Sequence, residues 1–194
     1  MALKGLSTPE ERDLILPWRN APEVRRAMYR HHVISPEEHS AWFERMQTDA
    51  RCQWYLHRDA EGTPDGVVYF TDIDTAHKTA FWGFYARPGA PAGTGTRILY
   101  EALNHAFDEL GLYKVNGEVL DGNSTSLHLH KKCGFKVEGT FRAQHFDGEQ
   151  RVGIIRLGLL ANEWATHREI IRSRIEHFDT LNAQHKSVRH STPS

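Results

Sequence analysis

Two histidines sit two residues apart in "NSTSLHLHKKCGF", residues 123–135. An imidazole near its ordinary pKa of about 6.5 can give or take a proton at physiological pH. On a helix, positions two apart differ by about 200°, so His128 and His130 cannot face one ligand, and a metal pair is not expected. His128 reads as a surface residue, and Cys133 beside it as a small packing residue. Upstream, "ARPGAPAGTGTRI", residues 86–98, sets Gly93 and Gly95 just before a helical pattern. Such a strand-to-helix turn leaves unpaired backbone N–H groups at the positive end of a helix dipole. Glycines there let a phosphate or pyrophosphate approach closely. The Walker pattern GxxxxGK[ST] is absent, and Ile98 stands where a dinucleotide fingerprint needs its third glycine.

Three carboxylates are candidate bases: Glu118 in "VNGEVL", and Asp72 and Asp74 in "FTDID", the last two on one strand face by spacing. Arginines gather in "WRNAPEVRRAMYR". Arg19, Arg25, Arg26 and Arg30 suit a diphosphate, and Trp18 and Tyr29 suit stacking or packing on a ring. Arg19 and Asn20, at a helix break, read as the functional pair, and Arg25 and Arg26 as solvated. Trp42, Trp54 and Trp82 read as core, and His145 as a candidate to face the cleft.

These residues need a scaffold. "ALKGL" reads as a weak strand. "STPEERDLILPWRN" opens with cap, proline and acids, and Pro17 and Pro22 should interrupt it before a second short helix in "APEVRRAMY". "SPEEHSAWFERM" repeats the start signal with Ser35 as cap. "CQWYLHRD", "GVVYFTDID" and "TAFWGFYA" are aromatic and β-branched runs that read as strands, the first two joined as a hairpin. Residues 96–110 carry an apolar face (Ile98, Leu99, Ala102, Leu103, Ala106, Phe107, Leu110) and stop at Gly111. "YKVNGEVL" is a strand, "STSLHLHKKC" a short helix, "KVEGTFRAQHF" and "VGIIRLGLL" a hairpin about "DGEQ", and "NEWATHREIIRSRIEHF" a last helix. This order closes as a mixed α/β (α+β) sheet flanked by helices. A single domain is expected over residues 1–180, with a flexible polar tail over 181–194.

The chain has 194 residues and a net charge of −1, with 39% hydrophobic and 25% charged residues. That balance gives no electrostatic case for nucleic acid or an anionic membrane surface. Cys52 and Cys133 form no CxxC or zinc pattern, which suits a reducing compartment. No apolar run approaches the ~20 residues of a membrane span, and the N-terminus lacks a signal-peptide core, so a cytoplasmic location is expected.

The glycine loop resembles the (Gln/Arg)-x-x-Gly-x-(Gly/Ala) acetyl-coenzyme A signature of the GNAT superfamily of N-acetyltransferases. Gly93 and Gly95 fall on its two small positions, and Ala90 departs from the usual Gln or Arg. "N-x-x-S-x-x-L-H-x-K-C-G-F" resembles the second superfamily block. The resemblance implies the GNAT fold, with a mostly antiparallel seven-stranded sheet and here a C-terminal helix, and acetyl-CoA as co-substrate without a metal. Tyr85, Ala86, Arg87, Gly93, Thr94, Gly95, Thr96, Asn123, Ser126 and His130 are the implied cofactor contacts. The family places a tyrosine beside the thiol sulfur where this chain has His130. The resemblance therefore implies His130 as general acid, or as donor from its neutral tautomer, to the leaving thiolate.

A narrower match joins "LPWRNAPEVRRAMYRHHVISPEEHSAWF", "WGFYARPGA" and "SLHLHKKCGF…EGTFR" with "GLLANEW". It resembles the nucleotide-sugar N-acetyltransferases of the pseudaminic acid pathway, which acetylate UDP-4-amino-4,6-dideoxy-N-acetyl-β-L-altrosamine for flagellin glycosylation. That resemblance implies direct transfer, Glu118 near the substrate amine, and Arg19, Asn20, Met28, Tyr29, Arg30 and Tyr85 around the sugar. "EGTFR…GLL" also resembles ribosomal-protein alanine N-acetyltransferases, so N-terminal protein acetylation is an alternative. A non-catalytic acyl-coenzyme A sensor is another, favoured by histidine in place of tyrosine. A homodimer is left open.

Overall fold

The computed structural model describes the backbone of residues 3–190 and the side chains of residues 3–180. The chain forms β1 (Leu3–Gly5), α1 (Pro9–Asn20), α2 (Pro22–Arg25), α3 (Pro36–Thr48), β2 (Gln53–Arg58), β3 (Pro64–Asp74) and β4 (Thr79–Ala86). It continues with α4 (Thr94–Asn104), β5 (Lys114–Leu120), α5 (Ser124–Lys132), β6 (Lys136–Phe146), β7 (Arg151–Leu160) and α6 (Ala161–His190). Seven strands make one sheet in the order β1-β2-β3-β4-β5-β7-β6. Only β4 and β5 run parallel.

Strand alternation sorts side chains onto two faces. Val68, Phe70, Ala80, Trp82, Val115, Val119 and Leu157 face α4, α5 and α6. Leu56 and Val67 face the other way, into a smaller core with Ile15, Val24 and Phe43 from α1, α2 and α3. Ile98, Leu99 and Leu103 of α4 are completely buried. Burying each such side chain is worth about 1.5–3 kcal/mol, which seats α4 firmly on the sheet.

The expected N-terminal signals form with one change. Of the two cap candidates, Ser7 and Thr8, it is Thr8 that caps α1, in a box where Glu11 N–H donates to Thr8 Oγ1 and Thr8 N–H donates back to Glu11. Pro17 does not interrupt α1, which runs to Asn20. Pro17 and Asp13 are exposed, so the carbonyl that loses its helical partner is open to water. The long central helix starts at Thr94 and passes into a π-helical turn over His105–Glu109, where Leu110 N–H donates to His105 O. α6 crosses residue 180, the end expected for the folded part, and reaches His190, because residues 161–190 contain neither glycine nor proline to stop it. Residues 191–194 of the expected tail lie outside the described residues.

Candidate active site

The parallel ladder between β4 and β5 holds for only three pairs, Thr79↔Lys114, Ala80↔Val115 and Phe81↔Asn116. Beyond them the strands part, and residues 82–86 of β4 have no partner on β5. This splay opens toward the glycine loop. Gly93 caps α4 at φ 92°, a left-handed conformation that favours glycine. Among the described residues the N–H groups of Gly93 and Gly95 have no partner, whereas those of Thr96 and Arg97 both donate to Gly93 O. An anion at this helix start would meet free donors and the positive dipole end. A methyl group on Gly95 would stand 3.5 Å from Leu129 and 3.9 Å from Phe84, so the loop adjoins α5 and the splayed part of β4. One on Gly93 would stand 3.2 Å from Phe178, which places α6 over the loop. The sequence signalled the loop but not this cover.

On α5, Asn123 is the N-cap, its Oδ1 accepting from Ser126 N–H at 3.1 Å. The carbonyl of Ser126 accepts from His130 Nδ1 at 2.8 Å. A carbonyl only accepts, so the single proton of neutral His130 is on Nδ1, and Nε2 carries a lone pair. The ring is 5% exposed and packs against Trp82, Phe84 and Phe135. Burial pushes its pKa below the usual histidine value, opposed by the Ser126 bond. Neither donor form expected of His130 is therefore favoured: the imidazolium is disfavoured by burial, and the neutral ring has spent its N–H on the backbone. His128 is exposed. Cys133 is fully buried with its thiol pushed up to about 12 by burial, as a packing residue would be.

Across the sheet, α1, the loop after α2, α3 and the strands enclose a cavity of about 370 Å³. Its walls include Arg19, Met28, Tyr29, Arg30, Tyr69 and Tyr85. Trp42 and Trp54, expected as core, line it too, together with His39. They form a run of rings: His39 stacks on Trp42 at 4.9 Å, Trp42 meets Trp54 edge-on at 4.7 Å, and Trp54 stacks on Tyr69 at 4.3 Å. Gly83 makes this possible, since any side chain there would collide with the Tyr69 ring. Three arginines, Arg19, Arg30 and Arg45, face one glutamate, Glu38, whose carboxylate is engaged by His32. Arg19 Nη1 is buried without a partner, and burial lowers the pKa of the guanidinium. Tyr85 is buried, which raises its phenol pKa.

Tyr29 links this cavity to Glu118. Its hydroxyl donates to Glu118 Oε2, while Arg156 Nη2 and Nε donate to Oε1 at 2.7 and 3.1 Å. Burial and then the Glu118 contact raise the Tyr29 pKa, so the phenol stays a donor. Arg156 lies directly opposite Glu118 in the β5–β7 register and over the Phe81 ring at 4.5 Å. The sequence reading missed Arg156; its only signal was opposite charge on two strands whose register the sequence does not state. His145, expected to face the cleft, packs on Tyr29 with ring centroids 5.3 Å apart and has its Nε2 3.4 Å from that of His31.

Several expected residues serve elsewhere. Asn20 uses its amide on Ile34, Nδ2 donating to the carbonyl at 2.8 Å and Oδ1 accepting from the N–H at 2.9 Å, so it clamps the loop behind the cavity. Arg25 is not solvated: it donates to Asn20 O and His31 O. Trp18 packs on the smaller core. Asp72 pairs with Arg51, and Asp74 accepts from His77 N–H in the β3–β4 turn; a bulge between Thr71 and Asp74 breaks the alternation that put them on one face. Ala86 pairs with Gly66, and Arg87 N–H donates to Asp65 O with its Nε buried and unpartnered. Trp82 is core as expected. Among the described residues no group of three or more His, Cys, Asp or Glu could hold a metal ion, and no helix is long and apolar enough to cross a membrane.

Comparison with known proteins decides the family. Residues 2–136 match the acetyltransferase (GNAT) domain. The chain belongs to the GNAT acetyltransferases. The acetyltransferase PseH of Campylobacter jejuni (strain 81-176) is 28% identical over 128 residues, 66% of this chain and 78% of PseH. The spermidine N(1)-acetyltransferase of Escherichia coli K12 is 28% identical over 112 residues, 57% of this chain and 60% of that protein. In fold, the chain superposes on the crystal structure of Vibrio cholerae spermidine N-acetyltransferase in complex with CoA and spermine, with a TM-score of 0.77 at 20% identity, covering 84% of this chain and 98% of that one. This GNAT protein is an acetyl-CoA-dependent N-acetyltransferase.

Proposed function

We propose that this GNAT enzyme acetylates the 4-amino group of a UDP-4-amino-4,6-dideoxy sugar by direct transfer, in the pseudaminic acid route to flagellin glycans. One observation carries the choice of acceptor: a ring-walled cavity with three arginines, one of them holding a buried, unpartnered nitrogen, against a single engaged glutamate. A nucleobase and sugar stack on such rings, and a diphosphate takes up the arginine charge. A polyamine, the acceptor of the spermidine relatives, is polycationic and needs the opposite charge balance. Likeness to PseH over two thirds of the chain supports the same reading.

Acetyl-CoA supplies the acetyl thioester. Glu118, oriented by Arg156 and the Tyr29 hydroxyl, accepts a hydrogen bond from the acceptor amine and takes that proton as the C–N bond forms. Arg19 and Arg30 hold the diphosphate, Met28, Tyr29 and Tyr85 shape the sugar's place, and a cytoplasmic location fits a nucleotide-sugar substrate. The test is thiol release from acetyl-CoA with four acceptors: the UDP-4-amino-dideoxy sugar, its dTDP counterpart, spermidine and an Ala-terminal peptide. Release with the UDP sugar and the matching product mass bears the reading out. Release with spermidine or the peptide alone overturns it, and silence on all four with coenzyme A still bound favours a sensor.

A further inference from the structure

Trp82 and His130 meet over Gly117 at the apex of the splay. Trp82 follows Phe81, the last β4 residue paired with β5, and Gly117 follows its partner Asn116. A methyl group on Gly117 would stand 3.2 Å from Trp82 Nε1 and 3.4 Å from His130 Nε2. Both rings are 5% exposed. Trp82 Nε1 is buried without a hydrogen-bond partner, and the two rings meet edge to face with centroids 5.4 Å apart, making no bond to each other. Among the described residues His130 Nε2 has no hydrogen-bond partner either, since the bonds of this ring run from Nδ1. A fully buried donor left open is costly, about 1–3 kcal/mol, and buried polar groups are as a rule satisfied by protein or by ordered water.

We propose that Trp82 and His130 are positioning residues that hold one buried water over Gly117, and that this water is the hydrogen-bond donor at the apex of the splay. The polarity follows from the two partners. An indole N–H can only donate, so the water accepts from Trp82. His130, with its proton on Nδ1, can only accept at Nε2, so the water donates one O–H to it. One O–H remains, and it is free to donate. The apex is contiguous with the glycine loop through Phe84, which adjoins Gly95 at one end and Trp82 and His130 at the other. Acetyl transfer needs a donor where charge develops on the departing sulfur. In the transfer the C–N bond forms, the C–S bond breaks and sulfur leaves with the electron pair. The amine proton passes to Glu118 and on to solvent, and solvent returns one to sulfur. The water stabilises the sulfur charge by its free O–H and is not consumed. Glycine at 117 leaves the room, because a side chain would crowd both nitrogens.

The inference rests on acetyl transfer and not on the identity of the acceptor. Its first test needs no turnover: nitrogen-15 spectra of the whole, ligand-free protein with labelled histidine and tryptophan. Expected are the Nδ1–H tautomer for His130, persisting below pH 6.5, and a magnetisation-transfer contact between the Trp82 indole proton and a slowly exchanging water. A proton on Nε2, or no such water, overturns the proposal. The second test uses whichever amine the acceptor screen identifies. Trp82→Phe keeps the stacked ring and Gly117→Ala adds one methyl. Each should lower kcat about 10- to 100-fold with KM for acetyl-CoA within about twofold, and the double variant should be no worse than either, since both remove one water. Unchanged kcat in folded Trp82→Phe, or losses that multiply in the double variant, overturns it.

Discussion

The two faces of the sheet recognise by different means. On the α4–α5 face the free groups at the loop are backbone N–H donors at Gly93 and Gly95, beside a left-handed glycine. On the opposite face the cavity is walled by side chains, four stacked or edge-on rings and three arginines. Backbone donors suit a group that every relative shares, because almost any sequence with small residues presents them. Side-chain walls suit a partner that differs between relatives, because each substitution reshapes them. The splay lets the two meet: β4 contributes Phe84 and Trp82 to one face and Tyr85 to the other.

Variants that damage one face alone would break or sharpen that contrast. The largest effect is expected at the junction. Glu118→Gln keeps the shape but removes the proposed proton acceptor, and kcat should fall at least about 100-fold with coenzyme A affinity unchanged by calorimetry. Next, Arg19→Ala should raise KM for the acceptor about 10- to 100-fold while KM for acetyl-CoA stays level, as expected for losing a charge-assisted contact. A parallel rise in both values would show that the faces are not independent. Gly83→Ala pushes Tyr69 off its stack with Trp54 and should raise the acceptor KM about tenfold by overpacking. Its counterpart, Gly93→Val, forces a β-branched residue to φ 92° against Phe178 and should weaken coenzyme A binding and stability together, by about 1–3 kcal/mol of strain.

The smallest effect is on pH. Burial lowers the pKa of His39, His105 and His130 in the folded protein. The unfolded chain then binds protons near pH 6.5 that the folded chain does not, so stability should be full above that pH and decline as pH falls through it. His77, raised by Asp74 at the surface, acts in the opposite sense. Thermal midpoints measured from pH 7.5 to 5.5 should fall, and a His105→Phe variant should fall less steeply.

The contrast between the faces also explains what could be read in advance. Gly93, Gly95, Asn123 and His130 lie in two short blocks whose spacing relates directly to a helix start and a helix face. The cavity takes Arg19 from α1, Trp42 from α3, Trp54 from β2, Tyr69 from β3 and Tyr85 from β4. No local pattern separates Trp42 and Trp54, which line it, from Trp82, which is core, since all three sit at apolar positions of regular elements. Asn20 reads as a ligand residue because a polar side chain at a helix break is as suited to bind as to clamp.

By itself the sequence determined the element order, the capped helix starts at Ser7 or Thr8 and at Ser35, the glycine loop and the strand bearing Glu118, because each depends on residues within a turn or a strand length of one another. Tertiary structure alone decided the rest. It buried the His130 ring against Trp82 of β4. It gave Glu118 its Arg156 partner, through the β5–β7 register, and turned two tryptophans into cavity walls. These are contacts between distant segments, and their energies are of the same size as those of the alternatives, so only the packed chain chooses among them.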